Sequence, residues 1–361
     1  MAERMVAARL YGPGDLRLEE IPVPEPGPGE VILRVERALT CGTDLKIFRR
    51  GHHPALGSLP SLFGHEVAGE VVAVGEGVLD FRPGMRVVAA NSAPCGSCRF
   101  CQRGEFSLCP NLTFFFGAFA QYARIPAPIV RVNLYPIPDH LSAAVAALVE
   151  PLACALRGIE AAEIEPGSTV LVMGGGSLGL MLAHLAKSRG AWVALSDPHP
   201  ERREAARAIG VDLPLDSRED VRAALQQALG ELPDVVIEAV GRVEAWEAAA
   251  DTVRPGGRVI LFGGCPVGTR ASFDTARLHY QELTLRGVFH HHPRFVRAAL
   301  SLLSAGRVPV EHLISGELPL ARLLEAFERM ERRQGFKFAI DPWADETGTP
   351  LGSLPLSDMT L

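Results

Sequence analysis

The pattern of apolar and polar positions changes texture along this 361-residue chain. Up to about residue 150, apolar residues come in short β-branched runs broken by turns. Residues 31–35 read as a strand, and residues 69–74 as another, bounded by Gly75 and Gly77. Pro22, Pro24, Pro26 and Pro28 alternate before the first run and predict an extended entry. From about residue 167, β-runs alternate with helical spacing. Strands are predicted over 169–173, 191–196, 234–240 and 258–262. Helices are predicted over 178–189, 200–209 and 243–253, with Gly190 and Gly210 closing the first two. That alternation predicts an α/β unit with a doubly wound parallel sheet. A strand over 284–289 and amphipathic helices over 294–304 and 320–332 follow. Residues 343–361 lack periodicity and read as a tail, either flexible or draped over a neighbouring subunit.

Composition narrows the class. The chain is 47% hydrophobic and 22% charged, which excludes a disordered or fibrous protein. A net charge of −6 leaves no global attraction to phosphate backbones and argues against a nucleic-acid partner. The longest apolar run, residues 143–149, falls far short of the ~18 residues that span a bilayer. No apolar signal region opens the chain, so a cytoplasmic protein without a membrane partner is expected. Only three of the 36 basic residues are lysine: Lys46, Lys187 and Lys337. Three asparagines and many prolines fit a thermophile, arginine in place of lysine is a weaker sign of one, and a GC-rich coding sequence is the alternative.

Seven cysteines in a chain expected to be cytoplasmic point to metal binding over disulfides. Cys95, Cys98, Cys101 and Cys109 follow a C-x2-C-x2-C-x7-C spacing, and four thiolates this close can close a tetrahedron around one zinc. An iron–sulfur cluster also takes four cysteines, but the spacing and the lack of a second cluster motif favour zinc. A zinc-ribbon binding protein is the non-enzyme alternative. The lobe offers only Arg99 and Arg103 as cations, a poor footprint for nucleic acid.

Residues 174–179 read G-x-G-x-x-G, after an apolar strand and at the opening of a helix, the context that a dinucleotide-binding loop requires. Gly174 makes the tight turn, Gly176 lets the backbone approach a pyrophosphate, and Gly179 lets helix pack on strand. Ser177 and Leu178 begin a helix whose amides favour phosphate. Asp197, 23 positions after Gly174, stands where an acid accepts a ribose 2′-OH, which predicts NAD over NADP. Arg202 and Arg203 lie just beyond, and an arginine can hold a 2′-phosphate. The alternative reading of Asp197 is an N-cap for the helix beginning at Pro200.

A further constellation lies outside both motifs: Cys41-Gly-Thr43-Asp44, then Gly64-His65-Glu66, then Glu150-Pro151-Leu152. A thiolate, an imidazole and a carboxylate make three protein ligands and leave a fourth zinc position for substrate. His65 alone would read as a core histidine. With the cysteine lobe, residues 174–179 and Asp197 in the same order, the chain resembles the zinc-dependent medium-chain alcohol dehydrogenases over nearly its full length. Glu150-Pro-Leu resembles the polyol (sorbitol or iditol) branch of that family.

The resemblance implies a β-rich, GroES-like catalytic domain split around an inserted Rossmann domain. Expected boundaries are 1–151 for the catalytic part, with the zinc lobe at 91–111, and 152–290 for the NAD-binding part. The chain would return to the catalytic domain over 291–345 and end in a tail over 346–361. It also implies two zinc ions per chain. Cys41, His65 and Glu150 would hold the catalytic one, with Glu66 as an alternate or water-mediated ligand, and the four lobe cysteines would hold the structural one. Asp44 would orient His65, and Thr43 would take the hydroxyl proton and pass it to the cofactor ribose. Lys46 stands where many relatives end the proton relay in a histidine; His52, His53 or water are alternative exits. Val240, Gly263, Cys265 and Val288 would join Arg202 and the glycine loop in the cofactor site, with Cys265 alternatively a buried thiol. The run His290-His-His292 would lie near cofactor or subunit contacts. The expected reaction is NAD-dependent oxidation of a secondary alcohol of a polyol or cyclitol to a ketone by a homo-oligomer, a tetramer before a dimer. The alternatives are L-threonine 3-dehydrogenase, which typically carries a histidine where this chain has Ser92, and a general secondary-alcohol dehydrogenase.

Overall fold

The computed structural model describes residues 3–53 and 56–349. They form two compact units. The first takes the chain up to Glu150, Leu303–Ala305 and the chain from Ile314; the second takes Pro151–Leu302 and Gly306–Leu313.

The first unit is built on Val31–Leu39, a strand buried along most of its length. It pairs antiparallel with Glu66–Val74, Tyr122–Ile125 and Lys337–Asp341. Arg86–Ala89, Leu134–Pro136 and Ile314–Pro319 extend the same sheet, giving seven strands among the described residues. The strand Lys337–Asp341 has no counterpart in the sequence pattern. It reaches the centre of this sheet from the far end of the chain, a pairing that local periodicity cannot reveal. The core behind the sheet gathers Phe63, Phe119 and Phe327, with ring centroids 5.9 to 6.2 Å apart. Such pairs contribute about 0.5–1.5 kcal/mol each beyond their area burial. Gly64 turns at φ +85° against this cluster, and a Cβ there would stand 2.6 Å from the Phe119 ring. That close approach delivers His65 to the sheet interior.

Trp343 does not belong to a tail. It is buried, its Nε1 donates to the Val35 carbonyl at 2.8 Å, and it meets the Tyr122 ring edge-on at 5.4 Å. Burying that ring against the central strand holds the chain down to this point. Residues 345–349 form a turn gathered on the Asp345 carboxyl. The remainder of the expected tail, 350–361, lies outside the described residues.

The second unit carries a six-stranded sheet among the described residues, every pair parallel. Its order is Leu213–Leu215, Trp192–Ser196, Thr169–Met173, Val235–Glu238, Arg258–Leu261, Thr284–Gly287. The direction of winding reverses between Thr169–Met173 and Val235–Glu238, the crevice where such sheets bind ligands. The third predicted strand ends at Glu238, short of residue 240, because the Glu238 carboxyl takes the amides of Val240 and Gly241 out of the ladder. The second unit also holds its chain through Leu302, beyond the expected return at 291. The helix Pro293–Ser304 buries Val296 and Ala299 and ties Arg294 to Glu160 on the helix Val149–Ala162.

Candidate active site

In the first unit the strand Val31–Leu39 runs out into Cys41, which caps the helix Gly42–Arg50. The cap is reciprocal. Cys41 Sγ accepts from the Thr43 amide at 3.5 Å, and the Cys41 amide donates to Asp44 Oδ2 at 3.0 Å. The other Asp44 oxygen lies 2.8 Å from His65 Nδ1. Asp44 is fully buried, so its carboxylate both closes the cap and fixes the imidazole, leaving Nε2 to Cys41 and to Glu66 Oε1 at 4.0 Å. Burial opposes the charged form of His65, but the Asp44 carboxylate outweighs it and raises its pKa well above the ordinary value. An imidazole so placed favours a cation at Nε2, whether a proton or a metal.

Cys41 Sγ, a His65 ring nitrogen and a Glu66 oxygen all lie within 4.8 Å of one another. Glu66 is fully buried, and both of its oxygens accept from Lys337 Nζ, at 2.6 and 2.7 Å. Lys337 also donates to the Thr40 carbonyl at 3.1 Å. Burial alone would discharge this lysine; Glu66, Cys41 and Glu150 outweigh burial and raise its pKa, while burial raises that of Glu66 against the pull of Lys337 and His65. Glu150 is buried in the first turn of Val149–Ala162 and is not part of the Cys41, His65, Glu66 group. Phe116 forms an apolar wall, its ring 6.1 Å from His65 and 5.9 Å from His53. Thr43 and Lys46 are exposed on the helix that Cys41 caps. Lys337 and Phe116 escaped the sequence reading. The scarcity of lysine was a signal for the first, whereas Phe116 had none.

The donor set suits zinc: a thiolate, an imidazole and carboxylates in a largely buried site. The lobe suits it also. Its four sulfurs lie within 4.8 Å of one another, with Cys98–Cys101 at 3.5 Å and Cys95–Cys101 at 4.0 Å. A tetrahedron with zinc–sulfur distances of about 2.3 Å has edges of about 3.8 Å. A disulfide would need about 2.05 Å. The Ser97 and Cys98 amides draw Cys95 down to about 5, while burial pushes Cys101 up to about 12. The strands Ser92–Ala93 and Thr113–Phe114 pair across the base of the lobe.

In the second unit Gly174 turns at φ +99° after Thr169–Met173, and Gly176 caps the helix Ser177–Ser188. A Cβ on Gly179 would stand 1.8 Å from the Gly174 carbonyl, so only glycine permits this turn. Asp197 Oδ2 accepts the Gly175 amide at 2.8 Å, and Oδ1 accepts the His199 amide at 2.9 Å. Asp197 therefore braces the loop and does not cap the next helix, whose N-cap is His199. Arg202 is buried, with Nη1 donating to the Gly175 carbonyl at 3.2 Å. Val240 is exposed beside Gly174, Gly263 and Cys265 are half-buried beyond the strand Arg258–Leu261, and Val288 is buried.

Residues 27–139 match the alcohol dehydrogenase GroES-like domain, and residues 177–305 match the zinc-binding dehydrogenase domain. The chain belongs to the zinc-dependent alcohol dehydrogenase family. It is 31% identical to a sorbitol dehydrogenase from Gallus gallus, over 93% of this chain and 96% of that one. It is 35% identical to an L-threonine 3-dehydrogenase from Pyrococcus horikoshii, over 91% and 96%. A zinc-binding dehydrogenase from Sinorhizobium meliloti, solved bound to NADP, superposes with a TM-score of 0.87 at 31% identity, over 94% of this chain and all of that one. The chain is thus an oxidoreductase of zinc and nicotinamide chemistry, with the GroES-like and Rossmann-type architecture that its sequence pattern implied. Among the described residues, no helix is long and apolar enough to cross a membrane.

Proposed function

We infer that this enzyme oxidises a secondary alcohol of a polyol, sugar alcohol or cyclitol to a ketone, with NAD as acceptor. The observation that carries this reading is the group of half-buried Cys41 with buried His65 and Glu66, with Asp44 on the far ring nitrogen. Cys41, His65 and Glu150 would hold one zinc, with Glu66 in reserve, and Cys95, Cys98, Cys101 and Cys109 would hold a second. When bound, the first zinc supplies Lewis acidity toward the substrate hydroxyl and the nicotinamide accepts hydride.

The chain's own groups do the rest. Asp44 keeps the proton on His65 Nδ1. Phe116 excludes water from one side of the site. Thr43 Oγ1, at the exposed opening of the helix, receives the hydroxyl proton, and Lys46, three positions later on the same face, leads toward solvent. Gly174 to Gly179 and Arg202 hold the pyrophosphate side of the cofactor, and the charge on Asp197 favours a ribose 2′-OH over a 2′-phosphate. Val240, Gly263, Cys265 and Val288 complete the cofactor site. We place the enzyme in the cytoplasm as a homotetramer.

L-Threonine is the second reading, favoured by the 35% identical relative. Ser92, buried with its carbonyl accepting Asn133 Nδ2 at 2.6 Å, stands where threonine enzymes typically carry histidine. The test is NADH production from a panel of polyols, cyclitols, threonine and simple secondary alcohols, with metal content measured on the same sample. Turnover of polyols with about two zinc per chain is expected. Turnover of threonine alone overturns the substrate assignment.

A further inference from the structure

The strand Val235–Glu238 ends beside the dinucleotide loop, across the point where the sheet reverses its winding. Its last residue, Glu238, is fully buried. Oε1 accepts the amides of Val240 and Gly241, both at 2.7 Å. Oε2 is buried and meets no donor in full hydrogen-bond geometry among the described residues, although the Gly263 amide and Trp246 Nε1 approach the carboxyl closely enough to favour its charge against burial. Oε2 lies 2.7 Å from where a Cβ on Gly263 would stand, and that same Cβ would be 2.3 Å from the Gly241 nitrogen. The Gly263 carbonyl accepts Trp246 Nε1 at 2.8 Å. One carboxyl therefore joins the loops leaving two neighbouring strands.

Those loops border the cofactor crevice. Val240 is 42% exposed, and its Cγ2 would be 3.0 Å from a Cβ on Gly174. An apolar side chain this open at the mouth of a crevice is covered when a ligand lies on it. A fully buried carboxyl with one incompletely served oxygen is costly, and a hydrophobic residue of similar volume would fill the space without that cost. What the hydrophobe cannot do is accept the two amides that set the Val240 turn. We propose that Glu238 is a positioning residue for the nicotinamide dinucleotide, holding Val240 and the Gly263 turn as one wall of its site. This rests on the dinucleotide reading of the Gly174–Gly179 loop.

The test titrates the zinc-loaded protein with NADH, following quenching of tryptophan emission, for the parent, Glu238→Gln and Glu238→Met. The glutamine keeps an acceptor for both amides and is expected to bind within about threefold of the parent. The methionine keeps the volume alone and is expected to bind about tenfold or more weakly, with KM for NAD raised and kcat at saturating NAD little changed. Methionine binding within about threefold of the parent overturns the proposal. So does equal loss in both variants, or a loss confined to kcat. If Glu238→Met does not fold, Glu238→Asp, which withdraws the carboxyl by one methylene, takes its place under the same criterion. A parent protein that binds no NADH overturns the dinucleotide reading and this inference with it.

Discussion

Lys337 Nζ sits 2.6 and 2.7 Å from the two oxygens of Glu66, with the lysine 1% and the glutamate 0% exposed. A pair this deep is held by mutual charge, and removing one partner strands the other. Lys337→Met is expected to destabilise the protein by about 3–5 kcal/mol. The double variant Glu66→Leu/Lys337→Met should recover most of that loss, because two apolar side chains leave no buried charge. Urea unfolding of metal-free protein measures both. A double variant no more stable than Lys337→Met would show that the lysine acts through packing and its bond to Thr40 alone.

The two cysteine sites should separate in their effects. Cys98→Ser breaks the closed sulfur group and is expected to lower the thermal midpoint by several degrees, at ~2–4 °C for each kcal/mol lost. Its turnover in the cold should survive. Cys41→Ser lies at a helix cap that a serine side chain can still serve, so its midpoint should move by no more than about 2 °C while turnover is abolished. Calorimetry and initial rates on the two variants decide the matter. Equal loss of midpoint from both would contradict the division into a structural and a chemical site.

How much of this could be read from the sequence differs between the two units for a physical reason. Parallel strands buried on both faces read as continuous apolar runs, so 169–173 and 258–262 were visible without help. The helix Val221–Leu229 escaped notice although Asp220 caps it and Gly230 closes it at φ +80°, both local signals. In the first unit the partners are far apart in the chain. Ala339 pairs with Leu39, and that crossing carries Lys337 over Glu66. No window of residues contains both groups. The cysteine, histidine and carboxylate side chains of the candidate metal sites were legible because their spacing is chemical; the groups that hold them were not, apart from Asp44, which lies one helical turn from Cys41.

Asp197 serves the Gly175 and His199 amides as well as its expected role in choosing the cofactor. Replacing it therefore has two effects that can be told apart. Asp197→Asn keeps an acceptor and removes the charge. It is expected to raise the ratio of kcat/KM for NADP to that for NAD by about tenfold and to cost some stability, because only one of the two amides keeps its acceptor. Asp197→Ala should shift the ratio in the same direction and cost more, about 1–3 kcal/mol for each amide left without an acceptor, since both the Gly175 and the His199 amides lose theirs. Steady-state kinetics with both cofactors is the measurement. An unchanged ratio in both variants would reject the assignment of NAD.

The histidine run after Thr284–Gly287 should make the fold acid-sensitive. Burial pushes His291 down to about 3 and His292 to about 4, with Arg157 adding to both shifts. Unfolded, each would titrate near 6.5. Between those values the unfolded chain binds protons that the folded chain refuses, so stability falls as pH drops below about 6.5 and keeps falling toward about 4. For a fully buried ring the slope approaches about 1.4 kcal/mol per pH unit. His292 contributes less, since solvent reaches it. His291→Phe removes the buried titrating group while keeping its bulk, so its unfolding free energy should decline less steeply than the parent's from pH 6.5 to 4. Denaturant unfolding of both proteins across that range gives the comparison, and parallel curves would show that His291 takes up its proton in the folded state as readily as in the unfolded one.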